Sequence, residues 1–229
     1  MNREFTRQFE RDGYYRWQLL LSDDAIAHLR TLAEPLLARH ADGRGGVRGP
    51  LGIEPRLCAV LDLEPVAEIV GAVGDGRARL VRSILFDKTP DANWLVPWHQ
   101  DVAIAVRERR EVKGYGPWSV KDGLVHCQPP VGVLESMFTL RLHLDTCGPE
   151  NGPLRVIPGS HLQGLSDVEV ADGQRARAVE CTTPMGGAVL MRPLTLHASP
   201  KASSPAHRRV LHLEFATCEL PDGLEWEGV

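Results

Sequence analysis

Met137-Phe138-Thr139-Leu140-Arg141-Leu142-His143-Leu144-Asp145 alternates without a break between apolar and polar residues. Successive side chains of a β-strand point to opposite faces of the sheet. An extended reading therefore puts Phe138, Leu140, Leu142 and Leu144 on one face, and Thr139, Arg141, His143 and Asp145 on the other. Arg208 to Phe215 repeats the pattern: Arg208, His212 and Glu214 face one way, while Leu211, Leu213 and Phe215 face the other, with Arg209 turned away from Arg208. In a sheet with one wet face the polar side is merely solvated. In a barrel with a polar interior the same residues line a pocket.

Outward from these strands, Arg79 to Phe86 and Trp94 to Val106 also read as extended. The first third reads as helical. Ser22-Asp23-Asp24 resembles an N-cap with acidic residues in the first turn, favourable to the helix dipole. Ile26, Leu29, Leu32, Ala33, Leu36 and Leu37 follow at roughly helical spacing, and Pro35 is expected to kink or shorten that helix. A second helix is expected from Glu64-Pro65, with Val66, Ile69, Val70 and Val73 on one face and Gly71, Gly74 and Gly76 ending it. Gly43 to Pro50, with four glycines and two arginines, reads as a mobile loop rather than a phosphate cradle, and the glycines at 71–76 lack the preceding strand and following helix that a phosphate-binding loop requires. Many short strands, Gly/Pro turns and helices at the front predict a mainly β fold, a sandwich or barrel with an N-terminal helical buttress. The expected division is a buttress over 1–76, a strand core over 77–217 and a C-terminal tail over 218–229 within one domain.

Composition sets the outer limits. The chain has 229 residues, 43% of them hydrophobic and 24% charged, enough for one sizeable core. Net charge is −4 and no dense basic stretch is present, which argues against a nucleic-acid partner; Arg107-Glu108-Arg109-Arg110-Glu111 mixes signs and reads as a solvated face. No signal-peptide pattern and no membrane-length apolar window occur, so a cytoplasmic protein is expected. The five cysteines, at 58, 127, 147, 181 and 218, form no C-x-x-C pair and read as reduced thiols.

The chemistry sits in Trp98-His99-Gln100-Asp101, joined to His197 and to Arg208 eleven residues later. On a strand, residues two apart share a face, so His99 and Asp101 present an imidazole and a carboxylate together. A second imidazole from a distant strand completes a 2-His-1-carboxylate triad, which leaves positions on Fe(II) open for a co-substrate and O₂. A guanidinium can then grip a carboxylate in a bidentate pair. Each piece alone is weak, because a surface strand can carry His-x-Asp by chance. Their order and spacing together form the equipment of a 2-oxoglutarate-dependent oxygenase.

These residues resemble the phytanoyl-CoA dioxygenase-like oxygenases over roughly residues 78–216. The resemblance rests on Ile84-Leu85-Phe86-Asp87-Lys88-Thr89-Pro90, on Pro97-Trp98-His99-Gln100-Asp101, and on Asn151-Gly152-Pro153-Leu154-Arg155-Val156-Ile157-Pro158-Gly159-Ser160-His161. His197-Ala198-Ser199 and Arg208 to Leu213 complete it. It implies a double-stranded β-helix, a cupin-like jelly roll with the metal inside. It also implies His99, Asp101 and His197 as Fe(II) ligands, and Arg208, with the Ser199 hydroxyl, as the holder of the distal 2-oxoglutarate carboxylate. Related iron halogenases lack the carboxylate ligand, so the presence of Asp101 favours oxygenation. His161 belongs to the turn signature and reads as a hydrogen-bonded structural histidine.

The glycine- and proline-rich stretch 114–130 reads as a hairpin or lid whose Trp118, His126 and Gln128 reach the substrate rim, with a plain surface loop as the competing reading. Arg141, if inward, is an unpaired cation that a carboxylate-bearing small molecule would satisfy. If outward, it pairs with Asp145 or with water. Two other classes remain open. A cupin-type metal enzyme without 2-oxoglutarate has no need of Arg208, and a non-catalytic jelly-roll binding protein has no need of the triad.

Overall fold

The structure, a computed structural model, describes residues 4–39, 46–166 and 174–228. The N-terminal part contains α1 (Glu4–Asp12), β1 (Tyr14–Trp17), α2 (Asp23–Arg39), β2 (Gly46–Arg48), α3 (Pro50–Ile53), a 3-10 segment (Pro55–Asp62) and α4 (Glu64–Gly74). It leads into β3 (Arg79–Lys88), β4 (Val96–His99), β5 (Ile104–Val106), β6 (Trp118–Lys121) and β7 (Leu124–Cys127). After α5 (Val131–Glu135) come β8 (Met137–His143), β9 (Leu154–Val156), β10 (Val179–Cys181), β11 (Ala188–Met191), β12 (His197–Ser199) and β13 (Arg208–Ala216).

The strands form a six-stranded sheet in the order β1-β11-β8-β13-β3-β2, a four-stranded sheet β10-β9-β12-β4, and a small sheet β5-β7-β6. Every pairing is antiparallel. The first two sheets are the walls of a jelly roll, as the resemblance implied. Leu154, Val156 and Cys181 of the smaller sheet pack on Val189 and Met191 of the larger, closing one end of the interior.

Alternation decides which face of the large sheet is which. Leu140 and Leu142 of β8 and Leu211, Leu213 and Phe215 of β13 are buried against Ile26, Leu29, Leu32 and Leu36 of α2 and Val66 and Ile69 of α4. The opposite face carries Thr139, Arg141 and His143 together with Arg208, His212 and Glu214, and turns toward the smaller sheet. Helix α2 starts where its sequence says: the Ser22 hydroxyl accepts the Ala25 N–H at 3.3 Å, and Asp23 and Asp24 fill the first turn.

Several expectations are corrected. Pro35 does not end α2, which runs on to Arg39 with Leu36 buried beyond it. Part of the presumed loop 43–50 is β2, paired with β3, while 43–45 fall outside the described residues. Trp94 to Val106 is two strands in different sheets. Asp145 does not share the Arg141 face. β8 ends at His143, and the Asp145 carboxylate accepts from Arg209 (N 2.8, Nε 2.8 and Nη2 2.9 Å) and from Arg30 of α2. The C-terminal segment is no loose tail: Leu220, Leu224 and Trp226 pack with Ile104, Val106 and Val112.

The division of faces has a direct energetic test. Leu140, fully buried, should cost about 2–5 kcal/mol on replacement by Ala. Leu162, 70% exposed, should change stability by no more than about 0.5 kcal/mol. Urea unfolding of Leu140→Ala and Leu162→Ala against wild type measures both.

Candidate active site

β12 pairs with β4 so that His197 lies directly opposite His99. The two rings stand 4.1 Å apart between centroids. Each imidazole uses Nδ1 on a backbone carbonyl two residues back, His99 on Pro97 O and His197 on Thr195 O, both at 2.9 Å. Nδ1 carries the proton in those bonds, which leaves each Nε2 as a lone-pair donor toward the interior. Asp101 completes the group, with Oδ1 3.6 Å from His99 Nε2 and Oδ2 3.6 Å from His197 Nε2. The donor atoms of all three lie within 4.8 Å of one another, a cluster that can hold a metal ion.

Strand geometry alone does not place Asp101, because β4 ends at His99. Two bonds from the loop before His197 do so instead. The Asp101 N–H donates to Pro193 O at 2.9 Å, and the Gln100 amide donates to Leu194 O at 2.7 Å and Gly164 O at 2.8 Å while accepting from Ser166 N. Burial on its own would raise the Asp101 carboxyl, but His197 and then His99 hold it well below the usual carboxylate range. Burial pushes His197 down to about 4, against the pull of Asp101. Both states suit metal ligands, a carboxylate and a neutral imidazole.

A cavity of about 90 Å³ opens beside the three donors, lined also by Arg82, Phe86, Trp94, Arg141, Ser199, Arg208 and His212. At one end lies a cationic cradle. Cross-strand pairing sets Arg208 opposite Lys88. Lys88, fully buried, donates to Ser199 Oγ at 3.0 Å and to Pro200 O at 2.5 Å. Arg208 Nη1 donates to Ser199 Oγ at 3.2 Å and, in a short contact, to Gly152 O, while its Nε is buried without a partner. Burial, reinforced by Arg208, lowers Lys88 to about 8. Neither side chain has a carboxylate partner among the described residues.

Farther along the same face, Arg141 Nη1 donates to His212 Nδ1 at 2.8 Å, so His212 Nε2 carries the proton given to Glu214 Oε1 at 2.9 Å. Arg82 Nη2 lies 3.1 Å from the same carboxylate oxygen. His143 lies on this face too, buried with both ring nitrogens unpartnered, and burial together with Arg141 and Arg208 lowers it to about 3.

The sequence model of the phytanoyl-CoA dioxygenase family matches residues 9–210. The chain belongs to that family. Its members are non-haem iron and 2-oxoglutarate-dependent oxygenases, and this family member shares their fold with several solved structures. AviO1 from Streptomyces viridochromogenes Tue57 is 25% identical, with a TM-score of 0.66 over 95% of this chain and 96% of that one. The 2-oxoglutarate-dependent carbocyclase SnoK from nogalamycin biosynthesis is 16% identical, TM-score 0.74, over 96% and 85%. EctD from S. alaskensis, solved with 2-oxoglutarate and 5-hydroxyectoine, is 20% identical, TM-score 0.72, over 94% and 76%. No curated protein sequence matches the chain significantly.

In this phytanoyl-CoA dioxygenase-family protein the cavity gathers His99, Asp101, His197, Ser199, Arg208 and Arg141. It does not gather Trp118, His126 or Gln128. The 114–130 stretch is a hairpin in the small sheet, where Trp118 stacks under Arg109, His126 Nδ1 bonds Leu124 O at 2.9 Å, and the Gln128 carbonyl accepts the Gly116 N–H. Of the two forms expected for this stretch it takes the hairpin, and its Trp118, His126 and Gln128 lie outside the lining of this cavity. His161 is structural as expected, its Nε2 3.0 Å from Glu10 O of α1.

Sequence reasoning gave no role to Lys88, although it lies in phase with Arg82, Ile84 and Phe86 on the inward face of β3. It also treated Asn151-Gly152 as a turn signature alone. Gly152 supplies the carbonyl under Ser199 and Arg208, and a Cβ there would stand 2.5 Å from Pro200 O and 3.1 Å from Lys88 Nζ, at a φ of +60°.

Among the described residues no helix is long and apolar enough to cross a membrane. The triad implies stoichiometric binding of Fe(II) under anaerobic conditions, and loss of that binding in His197→Ala, read by metal analysis after gel filtration. Undiminished iron in the folded variant would contradict this reading of the cluster.

Proposed function

We propose that this protein hydroxylates a small molecule, using Fe(II), 2-oxoglutarate and O₂ and releasing succinate and CO₂. His99, Asp101 and His197 would hold the iron, and Arg208, Ser199 and Lys88 the distal carboxylate of 2-oxoglutarate. The observation that carries the proposal is Arg208, which lines the cavity that holds the triad without a carboxylate of its own among the described residues, and which is joined through the Ser199 hydroxyl to a second buried cation, Lys88. Buried charge without a counter-charge is costly, and a dicarboxylate that also reaches the metal removes the cost. A cupin-type enzyme without 2-oxoglutarate, or a binding protein without catalysis, does not by its own chemistry require two buried cations beside the triad.

When bound, iron and 2-oxoglutarate supply O₂ activation: one oxygen atom enters succinate and the other is inserted into a substrate C–H bond. The residues of the chain do the rest. The carbonyls of Pro97 and Thr195 fix the imidazole tautomers, and Gln100 holds the Asp101 loop against Leu194. Ser199 spaces the two cations, accepting from both while donating to Gly152 O. Because Asp101 is retained as a ligand, insertion of oxygen is favoured over transfer of a halide.

The direct test is succinate formation from 2-oxoglutarate by protein supplied with Fe(II), ascorbate and O₂, which proceeds slowly even without the substrate. Wild type should form succinate, His99→Ala none, and Arg208→Ala should lose about 10–100-fold in kcat/KM for 2-oxoglutarate. Equal activity in Arg208→Ala would remove the cradle from the account.

A second test uses pH. Burial and Arg208 lower Lys88 to about 8, and a carboxylate bound beside it raises it. Below that pH the ammonium is charged with or without ligand, so affinity for 2-oxoglutarate should be flat. Above it, binding must take up a proton, so affinity should fall as pH rises. Lys88→Met should abolish this slope, and a slope that persists in the variant would assign it to another group.

A further inference from the structure

Arg141 is the cation in the cavity that this mechanism leaves unused. It projects from the middle of β8 into the space beside His99, Asp101 and His197. Two neighbours hold it there: His212, accepting from Nη1 at 2.8 Å, and the ring of Phe86, with the guanidinium carbon 5.5 Å from its centroid. Phe86 and His212 themselves meet edge to face, with centroids 5.5 Å apart. The proton order along this relay is fixed. His212 gives its Nε2 proton to Glu214, and Glu214 is neutralised by Arg82, so His212 meets Arg141 as a neutral acceptor. The relay thus orients the guanidinium without supplying a negative charge to it. Arg141 Nε is enclosed and has no partner, and no carboxylate pairs with the group among the described residues.

The charged groups in and around the cavity can be assigned one by one. Glu214 serves Arg82, Asp101 serves the metal, and Lys88 with Arg208 serves the far carboxylate of 2-oxoglutarate. Arg141 remains. It stands opposite His212, four residues up β13 from Arg208, or about 13 Å along the strand. Arg208 is held by Gly152 O and Ser199 Oγ and Arg141 by His212, so the two guanidinia are anchored on different partners. Resting on the oxygenase reading given above, we propose that Arg141 is the specificity-determining subsite of the primary substrate, and that the substrate carries a carboxylate which this guanidinium holds while a neighbouring carbon faces the metal. Carboxylates suit the site because a guanidinium fixed at one edge still offers donors in a planar fork. His212, Glu214 and Arg82 are positioning residues that act through Arg141.

The source of the carboxylate could instead be the metal-chelating end of 2-oxoglutarate, and the test separates the two. Small carboxylic acids, acetate through octanoate and benzoate, and their matched primary amides are titrated calorimetrically into anaerobic Fe(II)·2-oxoglutarate protein. Acids are expected to bind saturably and amides about tenfold or more weakly. In Arg141→Gln the acids should fall to the level of the amides while affinity for 2-oxoglutarate is unchanged. Acids and amides binding alike in wild type, or neither binding, would overturn the proposal without any variant being needed. Loss of 2-oxoglutarate affinity in Arg141→Gln as large as that in Arg208→Gln would overturn it in favour of the co-substrate. Failure of the wild type to bind 2-oxoglutarate at all would count against the oxygenase reading, and the acid–amide comparison on metal-free protein would then decide this proposal alone.

Discussion

The cross-strand pair of His197 and His99 is the constraint on which the rest of the site depends. Side chains on a strand alternate with a period of two, so a slip of one residue between β12 and β4 would turn one imidazole out of the interior. β12 has only three residues, too few to hold register by its own ladder. Its register is held from both sides, by β4 and β9, and by the loop before it, where Pro193 and Leu194 take bonds from Asp101 and Gln100. The same contacts that fix the register bring in the third donor, so the candidate metal site and the fold share one set of bonds.

The large sheet separates two kinds of burial. On its helical side, Leu140, Leu142, Leu211, Leu213 and Phe215 supply apolar area and with it stability. On its inner side it carries charged and titratable groups that an apolar core would exclude. Lys88, Arg208, Arg141 and His143 have their ionisation depressed by burial, the sign of groups held in an environment shaped for a partner. Glu214 is the exception that supports the pattern, since Arg82 and His212 satisfy it within the chain. Such an interior trades stability for function.

Much of this was legible in the letters. Unbroken alternation in β8 and β13 gave two neighbouring strands of the large sheet and assigned their faces correctly as far as His143. His99, Asp101, His197 and Arg208 were found by order and spacing, and the cavity brings them together. What the letters hid was non-local. β1 and β2, of four and three residues, are strands only because β11 and β3 offer free edges. Asp101 is placed by carbonyls ninety-odd residues away, which no local period encodes. Lys88 and Gly152 stood in the quoted segments as letters of a resemblance only, because their roles depend on Arg208 and Ser199 from distant strands. The Gly/Pro-rich stretch 114–130 left hairpin and lid both open, because its composition does not encode the pairing with β5 that makes it part of a sheet of its own.

The central claim is that the triad and the Lys88–Arg208 cradle face one another across a single bound 2-oxoglutarate. Anaerobic titration of 2-oxoglutarate into the Fe(II) protein, followed by visible absorption, tests it most directly, because a 2-oxo acid chelated to Fe(II) gives a charge-transfer band that succinate and glutarate do not. The account requires a saturable band in wild type, with tight binding that Arg208→Ala weakens without changing the band at saturation. A protein that binds Fe(II) but develops no band at any 2-oxoglutarate concentration would contradict it.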